Sequence, residues 1–332
     1  MKPTARIADV ARAAGVSTAT VSRTLSSPDR VGKETRDKVL RAVEAIGYRV
    51  NAAARDLRSR RARAITVLAP NLANTFFSRI FASVQEVAGA AGLTVQISDS
   101  LVEGERLAVF GRDGRSDGIL LFDGGLDAEM VTGWGVPVVM VCEWIDAADL
   151  ACVGTDNAGG LGLAVDHLVA LGHRHLAFVG GPACNVLSRE RLRGFREGLA
   201  RHGLTADPAS LLSGDFTMES GARAARVWAA QPARASAVIC ASDECAFGFI
   251  SEADRMGLRC PADVSVVGFD DVEFSERYIP PLTTVHQPRA ALGRQAAEML
   301  IGGLRAGGTL AAARHVLPSR LVVRGSTAPP PD

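Results

Sequence analysis

Residues 7–59 read IADVARAAGVSTATVSRTLSSPDRVGKETRDKVLRAVEAIGYRVNAAARDLRS. Ile7, Val10, Ala11 and Ala14 recur at i, i+3, i+4 and i+7, so the spacing predicts a short helix over Ile7–Ala14 with one apolar face. Gly15 ends it, being free to take the positive φ of a helix C-terminus. Ser17 is placed to cap a second helix, Thr18–Leu25, whose inner face is Val21 and Leu25. A third helix is expected over Lys33–Ile46, with Val39, Leu40, Val43 and Ile46 turned inward. Two short helices joined by a glycine-containing turn make a helix-turn-helix, and the third completes a small core.

Charge separates this segment from the rest. Residues 1–63 hold 15 basic and 6 acidic residues, a balance of +9, which leaves 22 and 30 elsewhere, a balance of −8. A basic segment on an acidic body is the footprint of something that meets phosphates. A solvated charged face would give the same counts, and the helical pattern inside the segment favours the first reading.

From Ala64 the pattern changes. Short β-branched runs over Ile65–Ala69, Thr94–Ser98, Gly118–Phe122, Val136–Cys142, Leu176–Gly180, Ala237–Ala241 and Val264–Phe269 are expected strands. Helices are expected between and after them, at Phe76–Ala90, Gly160–Leu171, Arg189–Arg201, Glu219–Ala230, Asp243–Met256 and Ala290–Arg305. That alternation predicts an α/β body of two doubly wound parallel-sheet lobes, following a small all-α helix-turn-helix headpiece. Ligand is expected at the carboxyl ends of strands and between the lobes.

Composition narrows the function classes. At 332 residues the chain is long for one core, and 47% hydrophobic content fits a globular protein. No apolar run is long enough to cross a bilayer, and MKPTAR leads into no apolar signal core, so a cytoplasmic protein is expected. Cys142, Cys152, Cys184, Cys240, Cys245 and Cys260 are scattered without Cys-x-x-Cys spacing; reduced thiols are expected, with no metal and no cofactor. There is no Gly-x-Ser-x-Gly elbow, Walker loop or His-Glu-x-x-His, and Gly160-Leu161-Gly162 is not a full dinucleotide fingerprint. An enzyme is not expected.

The segment quoted above closely resembles the headpiece of the lac repressor/gal repressor (LacI/GalR) family. DVA, AGVS, TVSR, TR with Val39 three residues on, GY and NAAAR fall in register. In the body, VALGHRHLAFVGGP, RLRGF, GDFTMESG, VVGFDD and IPPLTTVHQP look like that family's effector-binding core, itself similar to periplasmic sugar-binding proteins. The resemblance implies a headpiece over 1–48, a hinge helix and linker over 49–63, and an effector-binding and dimerisation domain over 64–332. The implied protein is a homodimeric repressor of a pseudo-palindromic operator, switched by a hydroxylated effector, a sugar or a nucleoside or base. Val50 stands where the family usually has proline, and Gly32 where a Ser or Thr cap is usual. The stretch from Ile97 to Gly118 looks shorter than is usual for the family, with less room for the second helix there.

The resemblance also implies site residues. The second helix would enter the major groove with Thr18, Ala19, Ser22 and Arg23 outward. Arg23 suits guanine O6 and N7, or a phosphate; small Thr18 and Ala19 suit thymine methyls. Ser17, Thr20 and Ser22 fit phosphate contact or helix capping. Asn51, Ala54, Leu57 and Arg58 belong to the implied hinge, with Leu57 either a wedge between base pairs or a junction contact. In the body, Asp270 matches a family carboxylate that accepts bonds from hydroxyls, and Arg191 an arginine opposite; a structural ion pair is the alternative. Asp156 and Asp243 sit at comparable strand ends and could equally cap helices. Phe76, Phe77, Trp144 and Phe216 are stacking candidates or core, and Gln287 could add a polar bond. Phe216 and Trp144 look similar to the purine and cytidine repressors of that family, which tilts the ligand towards a nucleoside or base.

Overall fold

The structure, a computed structural model, describes residues 5–48, 61–101 and 104–331. The chain divides after Arg61 into two compact units.

The described residues of the first unit hold three helices, α1 (Ile7–Ala14), α2 (Thr18–Ser26) and α3 (Lys33–Ile46), with a 3-10 turn at Pro28–Arg30. Gly15 and Gly47 end α1 and α3 at φ 67° and 66°, a backbone region that favours glycine. Val10, Ala11, Val21, Val39 and Ala42 form the buried core, with Ile7, Leu25, Val43 and Ile46 packed around it. Leu40, expected inside, is 47% exposed. Its neighbours Val39, Ala42 and Val43 already fill the inward stripe, and one residue around a helix is a rotation of about 100°.

The second unit is two α/β lobes. The first lobe carries β1 (Ala64–Ala69), α4 (Phe76–Ala90), β2 (Thr94–Asp99), α5 (Gly104–Val109), β3 (Gly118–Leu121), α6 (Ala128–Thr132), β4 (Val138–Val141) and β5 (Ala151–Thr155). The second carries α7 (Asn157–Ala170), β6 (Leu176–Val179), α8 (Val186–Arg201), β7 (Leu211–Leu212), α9 (Met218–Ala229), β8 (Ala237–Cys240), α10 (Asp243–Arg255), β9 (Ser265–Asp270) and β10 (Thr283–His286). The chain then returns to the first lobe with α11 (Arg289–Arg305) and β11 (Arg314–Leu317), and ends in the second with β12 (Arg320–Val322).

The sheets are ordered β11-β5-β4-β3-β1-β2 and β12-β10-β9-β8-β6-β7. Their pairings are parallel except β10 with β12. Strand order reverses between β1 and β3 in one sheet and between β6 and β8 in the other, and crevices form outside the strand ends at such points. Three connections join the lobes: β5 to α7, β10 to α11, and β11 to β12. Inner strands are buried on both faces, as parallel sheets under helices require. The stretch after β2 forms only the six-residue α5, and Ile97 is left 48% exposed. No helix of the described residues is long and apolar enough to cross a membrane.

Candidate functional sites: headpiece surface and interlobe cleft

Ser17 caps α2. Its Oγ accepts from the Thr20 amide at 3.1 Å and lies 2.9 Å from the Thr20 hydroxyl, while the Thr24 hydroxyl donates to the Thr20 carbonyl at 2.8 Å. Those polar groups thus serve the helix itself. Thr18, Ala19 and Arg23 are exposed, and with half-buried Ser22 they line a concave surface that also includes Ile7, Ser26, Ser27 and Arg30. Two arginines and a row of short hydroxyls make a surface able to meet phosphates and base edges.

The lobes enclose a cavity of about 70 Å³ at their strand ends. The first lobe supplies Asn74, Phe76 and Phe77 after β1, Phe122 after β3, and Cys142 and Glu143 after β4. The second supplies Leu187 and Arg191 on α8, Phe216 after β7, Ser242 after β8 and Asp270 at the end of β9. Three of these hold unusual backbone: Cys142 at φ 67°, Phe216 at 69° and Asp270 at 128°. Such non-glycine conformations cost about 1–3 kcal/mol each and persist only where surroundings enforce them. Ser242 enforces one, donating to the Phe216 carbonyl at 2.9 Å. Gly181 enforces it further, since a Cβ there would overlap the Phe216 ring.

Electrostatics in the cavity are set by burial. Arg191 is buried; its Nε donates to Asn157 Oδ1 at 2.9 Å, one Nη1 proton goes to the Ala241 carbonyl, and its guanidinium lies 4.0 Å from the Phe269 ring centroid. Burial lowers its pKa, and Asp270 opposes that. Burial pushes Asp270 up to about 7 against the pull of Arg191. Gln287 Nε2 holds one Asp270 oxygen at 2.7 Å from behind the cleft. Glu143 is also raised by burial, although the Gly124 amide and Asn185 Nδ2 each donate to it at 2.8 Å.

Asn185 caps α8 in the opposite lobe, so that last bond crosses the cleft. Two others cross nearby. The Thr75 amide and hydroxyl donate to Glu244 at 3.1 and 3.0 Å, and Arg189 pairs with Asp146. The arrangement is a closed cleft. A dry cavity able to take benzene is about 150 Å³, so at 70 Å³ the cleft must widen to hold a sugar or nucleoside.

Two family models match the chain: bacterial regulatory proteins of the lacI family over residues 6–51, and a periplasmic binding protein-like domain over residues 165–327. The transcriptional repressor CytR of Escherichia coli is 34% identical over 329 residues, 97% of this chain and 96% of that one. The chain belongs to the LacI family. Another relative, the repressor PurR of Photobacterium profundum, is 33% identical over 306 residues, 90% of this chain and 91% of that one. The structure of the lac repressor dimer bound to operator and the anti-inducer ONPF superposes with a TM-score of 0.87 at 31% identity, covering 98% of this chain and 100% of that one. A complex of the regulator CelR with cellobiose superposes at 0.75 and 32% identity, covering 97% and 99%. As a LacI-family member the protein is a DNA-binding transcriptional regulator, not an enzyme.

In this LacI-family chain the cavity gathers Phe76, Phe77, Arg191, Phe216 and Asp270, with Gln287 directly behind. Three other residues singled out in the sequence lie elsewhere. Trp144 stacks under Arg314, whose guanidinium is 3.5 Å from its ring centroid, and its indole donates to Asp146. Asp156 caps α7, accepting from the Gly159 amide at 2.8 Å. Asp243 is fully buried and ties the chain together, accepting from the Val272 amide at 2.9 Å, the Ser275 hydroxyl at 2.6 Å and the Thr284 hydroxyl. Gly268 leaves it room, for a Cβ there would overlap its carboxylate. Asn74, Phe122, Cys142, Glu143, Leu187 and Ser242 line the cavity without having been singled out. Glu143 stood next to Trp144 in the motif CEW, one position from the residue chosen. Asn51, Ala54, Leu57 and Arg58 lie outside the described residues.

Proposed function

We propose that this regulator is a cytoplasmic homodimeric repressor whose operator affinity is set by a small hydroxylated effector, a sugar or a nucleoside or base, held in the interlobe cleft. One observation carries the reading: the cavity is walled by side chains from both lobes, Phe76, Phe77 and Glu143 on one side and Arg191, Phe216 and Asp270 on the other. A ligand that touches both walls has different contacts in the open and closed arrangements, and so shifts their populations. The headpiece, residues 1–48, reads one half-site, with Thr18, Ala19 and Arg23 on base edges and Ser17, Thr20 and Ser22 positioning the helix. The hinge and linker, 49–63, bring Asn51, Ala54, Leu57 and Arg58 to the minor groove, where Leu57 is the wedge. Residues 64–332 sense and dimerise. Phe274 and Ile279, 60% and 89% exposed, supply apolar surface for a second copy.

The test is in vitro selection of a DNA site by the full chain, followed by binding titrations with sugars, nucleosides and bases. The expected result is a pseudo-palindromic site and one ligand class that changes its affinity by about tenfold or more, a coupling of roughly 1–3 kcal/mol. Failure to select any sequence would refute the DNA half; a selected site indifferent to every ligand would refute the sensing half. Leu57→Ala is expected to weaken the selected site while leaving the thermal melt intact, and unchanged affinity removes the wedge.

A further inference from the structure

The cleft has an unequal complement of charge. Two carboxyl groups, Glu143 and Asp270, line it with one guanidinium, Arg191. That guanidinium spends two of its five N–H donors on Asn157 Oδ1 and the Ala241 carbonyl, and rests on Phe269. Glu143 is held in place with one donor on each oxygen, Gly124 N on Oε2 and Asn185 Nδ2 on Oε1, both at 2.8 Å. A carboxylate oxygen offers about two acceptor positions, so each oxygen keeps one for a ligand. Asn185 cannot reverse its amide to donate less, because its Oδ1 accepts from the Leu187 and Ser188 amides at the start of α8. With Glu143 ionised, a ligand oxygen facing it meets only acceptors. Phe77 and Phe122 stand edge to face at 5.6 Å on the same wall, with Phe216 opposite, so flat apolar rings bound the space between the carboxyls.

We propose that Glu143 is the specificity determinant of this cleft: it receives an N–H donor, an exocyclic amino group on a flat ring or an amino group on a sugar, and with Asp270 it excludes phosphorylated and carboxylated ligands. The proposal rests on the cleft being the effector site and adds which effectors it takes. An amino group supplies two donors where an oxo group supplies another acceptor, and a buried acceptor facing an acceptor costs both their hydrogen bonds. A phosphate would bring negative charge into a buried site that holds two carboxyl groups against one guanidinium. The cross-cleft bond from Asn185 makes the recognition part of closure, since the lobe that carries it must arrive for Glu143 to be fully oriented.

The experiment measures binding to the full-length protein by titration calorimetry, using three matched pairs: cytidine with uridine, adenosine with inosine, and glucosamine with glucose. Adenosine 5′-monophosphate is added as an anionic probe. The amino member of at least one pair is expected to bind about tenfold or more tightly than its partner, the low end of what a hydrogen bond to a charged group contributes, and the monophosphate not to bind. Glu143→Gln is expected to reduce that ratio to near one. Glu143→Asp keeps the charge, retains a preference for the amino member, and is the check if the glutamine variant melts below wild type. Equal affinities within every pair, a preference for the oxo or hydroxyl member, tight binding of the monophosphate, or an unchanged ratio in Glu143→Gln would each overturn the proposal. Binding by a neutral sugar alone would overturn it while leaving the effector reading intact. Absence of binding by any member of any pair would also overturn it, and the DNA titrations above would then decide the wider reading.

Discussion

Replacing Asp270 by asparagine is expected to stabilise the protein at alkaline pH while removing effector binding. Burial raises the Asp270 carboxyl from 3.8 to about 7, with the attraction of Arg191 already included. The folded state therefore holds a proton that the unfolded chain releases near 4. Between those values the folded protein binds more protons, so stability falls as pH rises, and the penalty is complete above pH 7. At about 1.36 kcal/mol per pKa unit the full penalty is roughly 4 kcal/mol, an upper bound set by ionising the group in place. Asparagine mimics the protonated acid in size and can still accept the bond from Gln287 Nε2, found at 2.7 Å in the wild type. Asp243 and Glu143 are raised in the same sense, and Asp243 repels the Asp270 charge, so asparagine relieves that repulsion as well and the difference keeps its sign. Calorimetric melts across pH are the assay. The variant is expected to melt roughly 4–8 °C above wild type at about pH 8, the gap shrinking to less than half by about pH 5. A variant that melts lower at pH 8, or a gap that does not change with pH, would refute the reasoning.

Other substitutions separate the parts. Arg23→Ala is expected to lose about 1–3 kcal/mol on the selected site and little on scrambled DNA if the guanidinium reads a base; equal loss on both makes it a phosphate clamp. Gly181→Ala pushes a methyl group into the Phe216 ring and is expected to lower effector affinity several-fold with small change in DNA binding, so an unchanged effector affinity would remove Phe216 from the site. Glu244→Ala deletes the acceptor for Thr75 across the cleft and is expected to shift the lobes open, seen as a larger radius of gyration in solution scattering without ligand. Effector affinity should fall by roughly tenfold, as for loss of a hydrogen bond to a charged group; an unchanged radius and affinity would contradict the closure.

Much of the fold was legible in residue spacing. The helix over Phe76–Ala90 has the expected bounds because its apolar period is long and clear, and so do α1 and α3, each closed by a glycine, while α2 starts at its serine cap as expected but runs one residue beyond Leu25. The strand Ala151–Thr155 left no such trace: ACVGT is short, small and buried on both faces. Thr283–His286 was hidden for another reason. Its two threonines are fully buried, their hydroxyls meeting Thr327 and Asp243, partners that sequence distance conceals. The same distance hid the role of Asp243, whose donors lie at 272, 275 and 284. At the end of β4 Cys142 takes a φ of 67°, and it is Glu143 after it, not Trp144, that lines the cleft. Positive φ at a cysteine has no signature in composition or period.

Control of DNA binding from the cleft is the centre of the account, and thermodynamic reciprocity offers its most direct test. Effector affinity should be measured by calorimetry on the free protein and on the protein saturated with its selected DNA site. If the two sites are linked, the two affinities differ by the same factor by which effector changes DNA affinity, about tenfold or more. Identical effector affinities with and without DNA would contradict the account.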